Sequence, residues 1–370
     1  MSKQFVLILW IIAGALAALT IALKSAQSKT GVNPTNLAAG EKLLANLKPG
    51  DIASIKIEGA DETTTLLKGE DDWTIAEREN YSANFDRLFQ LMQQMTSLTV
   101  AQNLKAGSAF NERFGMNTQA EAQENHGYQI TFADTSGSEL ASLTLGKSTS
   151  SNSPSNPMTR GTNGKYLRLG SEPNAIYIVN QSFNNLDSSP SSWLNEDFIK
   201  ISKIKSIDLA TPNENDFEGW TLTRTDESAD FIVPNIPAGR QIDPNKTNAL
   251  KNLLSFARFT DVLTKEQAAE KSDTSKARQL VIETFDNFRY LIDYAPRKRS
   301  AEDTNQAEEF IVTIKVTANL PAEREQKEGE TEEEAKAADK TFAELKEKLA
   351  REQNYANYTY TLSNWTLDAA

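Results

Sequence analysis

The chain has 370 residues, with 39 Lys and Arg against 51 Asp and Glu, for a formal net charge of −12. That balance argues against a nucleic-acid partner, which needs a basic face. The absence of cysteine excludes disulfides, thiolate metal sites, a cysteine nucleophile and a lipid-bearing lipoprotein cysteine. A short tail, residues 1–4, precedes FVLILWIIAGALAALTIAL, Phe5–Leu23, which carries no charge. At 1.5 Å per residue this run reaches about 28 Å, close to a bilayer core of about 30 Å. It predicts a retained transmembrane anchor over 5–23, because a cleaved signal peptide has an apolar region of only about 7–15 residues. KSAQ at Lys24–Gln27 offers the rival small-x-small cleavage pattern. Lysines flank both ends, so charge bias does not orient the helix. The shortness of the tail favours export of the long C-terminal part.

Residues 24–46 read as a linker with Gly31 and Pro34, then a short helix in NLAAGEKLLANL. IASIKIE (Ile52–Glu58) alternates apolar and polar residues as a half-buried strand does. TTTLLKG and DDWTIAE follow as strands around a turn. Asn84 then caps a helix with Phe85, Leu88, Phe89, Met92 and Met95 at helical spacing. Beyond a loop with ERFGM come the alternating strands YQITFAD and LASLTLG, a Ser/Asn/Pro-rich loop from Lys147 to Gly164, and a closing hairpin, KYLRLG with AIYIVN.

The same order then returns, offset by roughly 150–160 residues, which is the signature of an internal repeat. IKSIDLA stands where IASIKIE stood, and EGWTLTR around Trp220 answers DDWTIAE around Trp73. Asp243 and Pro244, a cap and an N1 proline, open a helix carrying Leu250, Leu253, Leu254 and Ala257. RQLVIETFDNFRYLIDY, EFIVTIKV and YTYTLSNW supply the remaining strands. The expected fold class is α+β: an N-terminal transmembrane helix, then tandem repeats 47–200 and 201–370, each a mainly antiparallel sheet with a packed helix. Matching tryptophans in core positions are part of that expectation. One segment breaks the symmetry: Pro321–Gln353, dense in Glu, Lys and Ala, reads as a solvated helical insertion with favourable Glu344–Lys348 and Glu347–Arg351 pairs.

Chemistry-bearing motifs are sparse. GKST (Gly146–Thr149) resembles the tail of a P-loop, but Ala141 occupies the required first glycine position and SSNSPSNP follows in place of a helix. It reads as the end of a strand with Gly146 as the turn, and no nucleotide is expected. His126 is the one histidine, with no G-x-S-x-G elbow to serve, and it reads as a loop residue. No metal motif is present, and carboxylates are plentiful without a distinguished pair. PRKRS (Pro296–Ser300) is the one basic cluster and reads as an exposed loop. No catalytic, cofactor-binding or metal-binding residue is assigned.

Several of these pieces resemble the bacterial envelope proteins grouped as domain of unknown function 4340. They are the apolar N-terminal helix, the I-x-x-I-x-I strand IASIKI, the D-x-W strand DDWTIA, and ERFGMN in place of a Y-G-L element. ELASLTLGKST, ending in L-x-L-G, and KYLRL…AIYIV with SSWLNEDFI complete the set. The acidic insertion is not expected of that family. The resemblance implies a duplicated domain held at the bacterial inner membrane, with most of the chain periplasmic or extracytoplasmic. It also implies an accessory or scaffold role beside an ABC transporter of the gliding-motility type, with permease or auxiliary subunits as partners. No cofactor and no enzymatic role are implied. Two further readings stay open: a tethered binding module for envelope glycan or a small ligand, marked by an exposed aromatic cluster, and a carboxylate-based hydrolase.

Overall fold

Alternation at period two dominates both halves of the sequence, and the backbone follows it into sheets, one apolar face inward. The computed structural model describes residues 37–118, 127–150, 162–211, 219–234, 236, 242–298, 308–324 and 329–367. The anchor expected at Phe5–Leu23 lies outside them. In chain order the first elements are β1 (Ser54–Glu58), β2 (Thr63–Lys68), β3 (Trp73–Ile75), β4 (Tyr81–Ser82), α1 (Phe85–Thr96), β5 (Val100–Lys105), α2 (Asn111–Phe114), β6 (Tyr128–Ala133), β7 (Glu139–Ser150), β8 (Thr162–Leu169) and β9 (Ala175–Val179). Then come β10 (Ile204–Ala210), β11 (Trp220–Thr223), α3 (Pro244–Leu250), β12 (Asp261–Leu263), α4 (Lys265–Lys271), β13 (Arg278–Thr284), β14 (Phe288–Pro296), β15 (Glu309–Ala318), α5 (Glu332–Gln353) and β16 (Thr359–Ser363).

The strands form a nine-stranded sheet, β4-β3-β2-β1-β6-β7-β8-β9-β5, and a seven-stranded sheet, β11-β10-β13-β14-β15-β16-β12. Their registers run in parallel. Ile55 lies between Leu66 and Phe132, and Ile57 between Thr64 and Ile130. Ile207 lies between Leu222 and Ile282, and Leu209 between Trp220 and Leu280. The inward rows are fully apolar or nearly so and buried, including Ile55, Ile57, Phe132 and Leu145 in one sheet and Ile207, Ile282, Ile292 and Tyr360 in the other. Each such side chain contributes about 1.5–3 kcal/mol by leaving water. From these registers β11 is the counterpart of β2. Trp220 therefore takes the place of Thr64, while Trp73 stands one strand further out, in β3. The expected equivalence of the two tryptophans is corrected: their shared W-T-[IL] wording is local, whereas register decides which residue faces which. Both are half-buried.

Two compact units divide the chain. One comprises Met1–Thr74 and Ala83–Trp193, the other Ile75–Ser82 and Leu194–Ala370. The expected boundary near residue 200 thus moves to Trp193/Leu194, and an eight-residue segment of the first half belongs to the second unit.

The α+β expectation is overturned. The architecture is two antiparallel sheets with few helices, and among the described residues no helix is long and apolar enough to cross a membrane. Residues 37–46 form turns in place of the expected short helix: Gly40 has φ +88° and its N–H bonds the Val100 carbonyl at 2.8 Å, so the backbone is spent on the sheet edge. In the second unit the expected long helix stops at Leu250. Turns follow, with Leu254 at φ +62°, yet Leu250, Leu253, Leu254 and Ala257 are all buried. The apolar spacing was real; burial was achieved without helix. In α1 the Asn84 cap is present, its side chain accepting from the Arg87 N–H. The buried row is Leu88, Leu91 and Met95, while Phe85 and Phe89 face outward at 61% and 58% exposure.

The insertion forms α5, opened by a capping box between Thr331 and Glu334. It lengthens the β15–β16 hairpin at the place where β8 and β9 are joined by a short turn. Glu344 pairs with Lys340 at 3.8 Å and Lys348 with Glu352 at 3.9 Å, so Lys348 turns toward the C-terminal end of the helix and not back to Glu344, the partner expected from sequence.

Candidate functional site

Within the first unit, the ERFGM and LTLGK stretches meet. Asn111–Phe114 makes one helical turn, closed by Gly115 in the left-handed region at φ +62°. The Met116 N–H returns to the Asn111 carbonyl at 2.8 Å. This turn rests on β7 at Gly146, where a Cβ would stand 2.2 Å from the Phe114 carbonyl oxygen. The second support is Gly127, where a Cβ would stand 2.9 Å from the Met116 Cα. Met116, Ala106 and Ile176 form a small buried cluster with Leu104, Phe114 and Tyr166 against it. The Phe114 and Tyr166 rings lie 4.7 Å apart.

Arg168 on β8 ties this turn down from beneath. It is 8% exposed and donates to the Asn111 side-chain oxygen and to the carbonyls of Ala106 at 3.1 Å and Gly107 at 3.0 Å. These acceptors are neutral, so burial depresses the guanidinium pKa below its ordinary value. Sequence reasoning did not single Arg168 out. The available signal was a cation at an alternate position inside the strand KYLRL, which marks either an outward face or a buried clamp. Strand period alone cannot separate those two.

The second unit holds a denser arrangement. Its Ile75–Ser82 segment places Glu79 and Asn80 at φ +55° and +56°. Arg78, buried, forks onto Asp261: Nε to Oδ1 at 2.7 Å and an Nη to Oδ2 at 3.1 Å. Glu79 accepts from the Lys265 N–H at 3.3 Å, at the start of α4. Tyr81 enters an aromatic cluster, edge-on to Tyr358 at 4.8 Å, Phe259 at 5.6 Å and Tyr360 at 6.0 Å. Phe198 closes it, 4.9 Å from Tyr360 and 5.6 Å from Tyr355. Burial, then the neighbouring phenols, raise the pKa of Tyr360; burial leads for Tyr81 as well. Neutral phenols of this kind donate hydrogen bonds and do not serve as bases at neutral pH.

The motifs weighed from sequence fall as follows. GKST is not a strand end followed by a turn, because β7 runs through it to Ser150. Gly146 is there for the close approach of Phe114, and Lys147 is exposed. An extended strand offers no helix N-terminus to a phosphate. Lys147→Ala is therefore expected to leave calorimetric titration with ATP featureless, as in the parent chain; micromolar binding lost in the variant would overturn this. His126 lies outside the described residues. Of the basic cluster, Arg297 pairs with Glu309 at 2.6 Å and Lys298 donates to the Glu270 carbonyl at 2.9 Å, while Arg299 and Ser300 lie outside the described residues. Among the described residues no group of three or more His, Cys, Asp or Glu is placed to hold a metal. The exposed aromatics among the described residues of the first unit are the stacked pair Phe85 and Phe89, 6.3 Å between centroids, and Phe110.

Compared with known proteins, residues 73–279 match the family model described as Domain of unknown function (DUF4340). No curated protein and no solved structure matches the chain. The matched span starts at β3 and ends in β13, so it takes in the FGM turn, Arg168, Arg78, Tyr81 and Asp261.

Proposed function

The chain belongs to the family described as Domain of unknown function (DUF4340), and from that membership we propose that it is a non-enzymatic accessory or scaffold component of an ABC-transporter-like complex of the gliding-motility type. Its place is the bacterial cytoplasmic membrane, with the bulk of the chain extracytoplasmic. Family membership carries this reading. The uncharged run Phe5–Leu23 in the sequence supports the membrane location. The charged side chains buried among the described residues, Arg78, Arg168, Arg224 and Glu352, each bind groups of their own unit, which suits a scaffold.

The partner surface is the Phe85–Phe89 pair. It stands on α1 beside Asp86, Gln90 and Gln93, all exposed, an apolar ridge with a polar rim. Such an exposed aromatic ridge with a polar rim suits packing against a protein partner. The test is purification of the tagged full-length chain from detergent-solubilised membranes. Permease or ATPase subunits are expected to accompany it and to be lost with Phe85→Ser/Phe89→Ser. Recovery of the chain alone would remove the accessory role. Fractionation checks the location: the full chain should sediment with membranes, and a chain starting near Thr30 should not.

A further inference from the structure

Of the 22 residues in α5, one is fully buried, and it is a carboxylate, Glu352. It is 2% exposed at the C-terminal end of a helix that is otherwise largely in solvent. Its Oε2 accepts a 2.8 Å hydrogen bond from the Tyr290 hydroxyl on β14. Its cationic neighbour is Lys348, one turn back, at 3.9 Å, which is too long for a charge-assisted hydrogen bond. That ammonium is shared: it also stands 4.8 Å over the Phe288 ring and 3.5 Å from the Lys200 carbonyl. The other charged and titratable groups acting on the pair are Arg351 from α5, Tyr355 from the turn after it, and Asp286 acting on Tyr290. A buried carboxylate held by one phenol and one distracted lysine is short of partners for its charged form.

We propose that Glu352 is a charge-dependent latch for α5: the base of the helix docks firmly on its unit when the carboxyl is neutral and loosens when it is ionised. The hairpin does not need the helix, since β8 and β9 close the same way with a short turn, so α5 is free to act as an arm whose attachment responds to pH. Burial raises the Glu352 pKa above its ordinary 4.5, offset in part by Lys348, Tyr290 and Arg351. The sign follows. The folded state holds the proton more tightly than the unfolded chain, so the docking contribution is fully present below the ordinary carboxylate pKa and is lost as pH rises through the folded one.

Hydrogen exchange of the full-length protein tests this. After correction for intrinsic rates, protection of the last two turns of α5 is expected to rise at least about threefold between about pH 7.5 and about pH 5. Glu352→Gln keeps an acceptor for Tyr290 but no charge; it should be as protected at the higher pH as the parent is at the lower, with no slope. Lys348→Met removes the nearest cation and should move the parent's transition to higher pH. A flat parent profile, an unchanged slope in Glu352→Gln, or an unshifted transition in Lys348→Met would each overturn the latch. The Lys348→Met arm still decides the matter if Glu352→Gln fails to fold.

Discussion

Tyr81→Ala is expected to lower stability by about 3–5 kcal/mol, the usual cost of emptying an aromatic position in a packed core. Tyr81 is 5% exposed and meets Phe259, Tyr358 and Tyr360. For a unit of this size, such a loss moves the thermal midpoint by roughly 10 °C. Tyr81→Phe keeps the ring and should cost less than about 1.5 kcal/mol. Arg78→Ala is the companion. It leaves Asp261 without its forked partner; because the Asp261 side chain is 26% exposed, the penalty is trimmed below the fully buried case, to about 2–4 kcal/mol. Arg78→Ala with Asp261→Ala should recover part of that, and the double-mutant cycle measures how much. Urea melts of these variants and of Asp261→Ala alone, which closes the cycle, decide the question. If Tyr81→Ala melts as the parent does, the Ile75–Ser82 segment is not a working part of the second unit's core.

Gly146→Val is expected to disrupt the FGM turn and to cost about 3 kcal/mol, at the high end of overpacking effects, because the clash is with backbone and cannot be relieved by a rotamer. The added Cβ would lie 2.2 Å from the Phe114 carbonyl oxygen. Arg168→Ala attacks the same turn from below. It strands the Asn111 side-chain oxygen and the Ala106 carbonyl, at about 1–3 kcal/mol for each acceptor left buried and unpaired, while the Gly107 carbonyl keeps the Phe110 N–H at 3.1 Å. Arg168→Lys should recover little, since an ammonium has no rigid fork to span these acceptors. Melting curves and the near-ultraviolet signal of Phe114 and Tyr166 would report both effects. Retention of that signal with an unchanged midpoint in Gly146→Val would mean that the turn is not seated on β7 as described.

How much of this was legible in the sequence follows from the range of each interaction. IASIKIE and IKSIDLA carry their strand character in adjacent residues, and their inward isoleucines are where alternation places them. The Asn84, Asp243 and Thr331 caps are equally local, each bonding an N–H two or three residues on. The helix expected through Leu254 failed because apolar spacing records which residues are buried, not the backbone that buries them. Phe85 and Phe89 share the spacing of Leu88 but lie on the far side of the stripe, and only the position of the sheet selects between neighbouring stripes.

The candidate site was the least legible part. Arg78 and Asp261 are 183 residues apart, Tyr290 and Glu352 are 62 apart, and Arg168 and Asn111 are 57 apart. Nothing near Arg78 in sequence names its partner, and a glutamate in a helix rich in Glu and Lys gives no sign that it alone of that helix is buried. Strands such as IASIKIE and IKSIDLA with their inward rows, and the charged character of the insertion, could be read from residue order alone, because they depend on periodicity and composition over a few residues. Only the tertiary structure decided which strand follows which tryptophan, where Ile75–Ser82 belongs, why Gly146 must lack a side chain, and which charges are buried. Those depend on what a residue meets across the fold, and burial makes such a charge costly until that distant partner is in place.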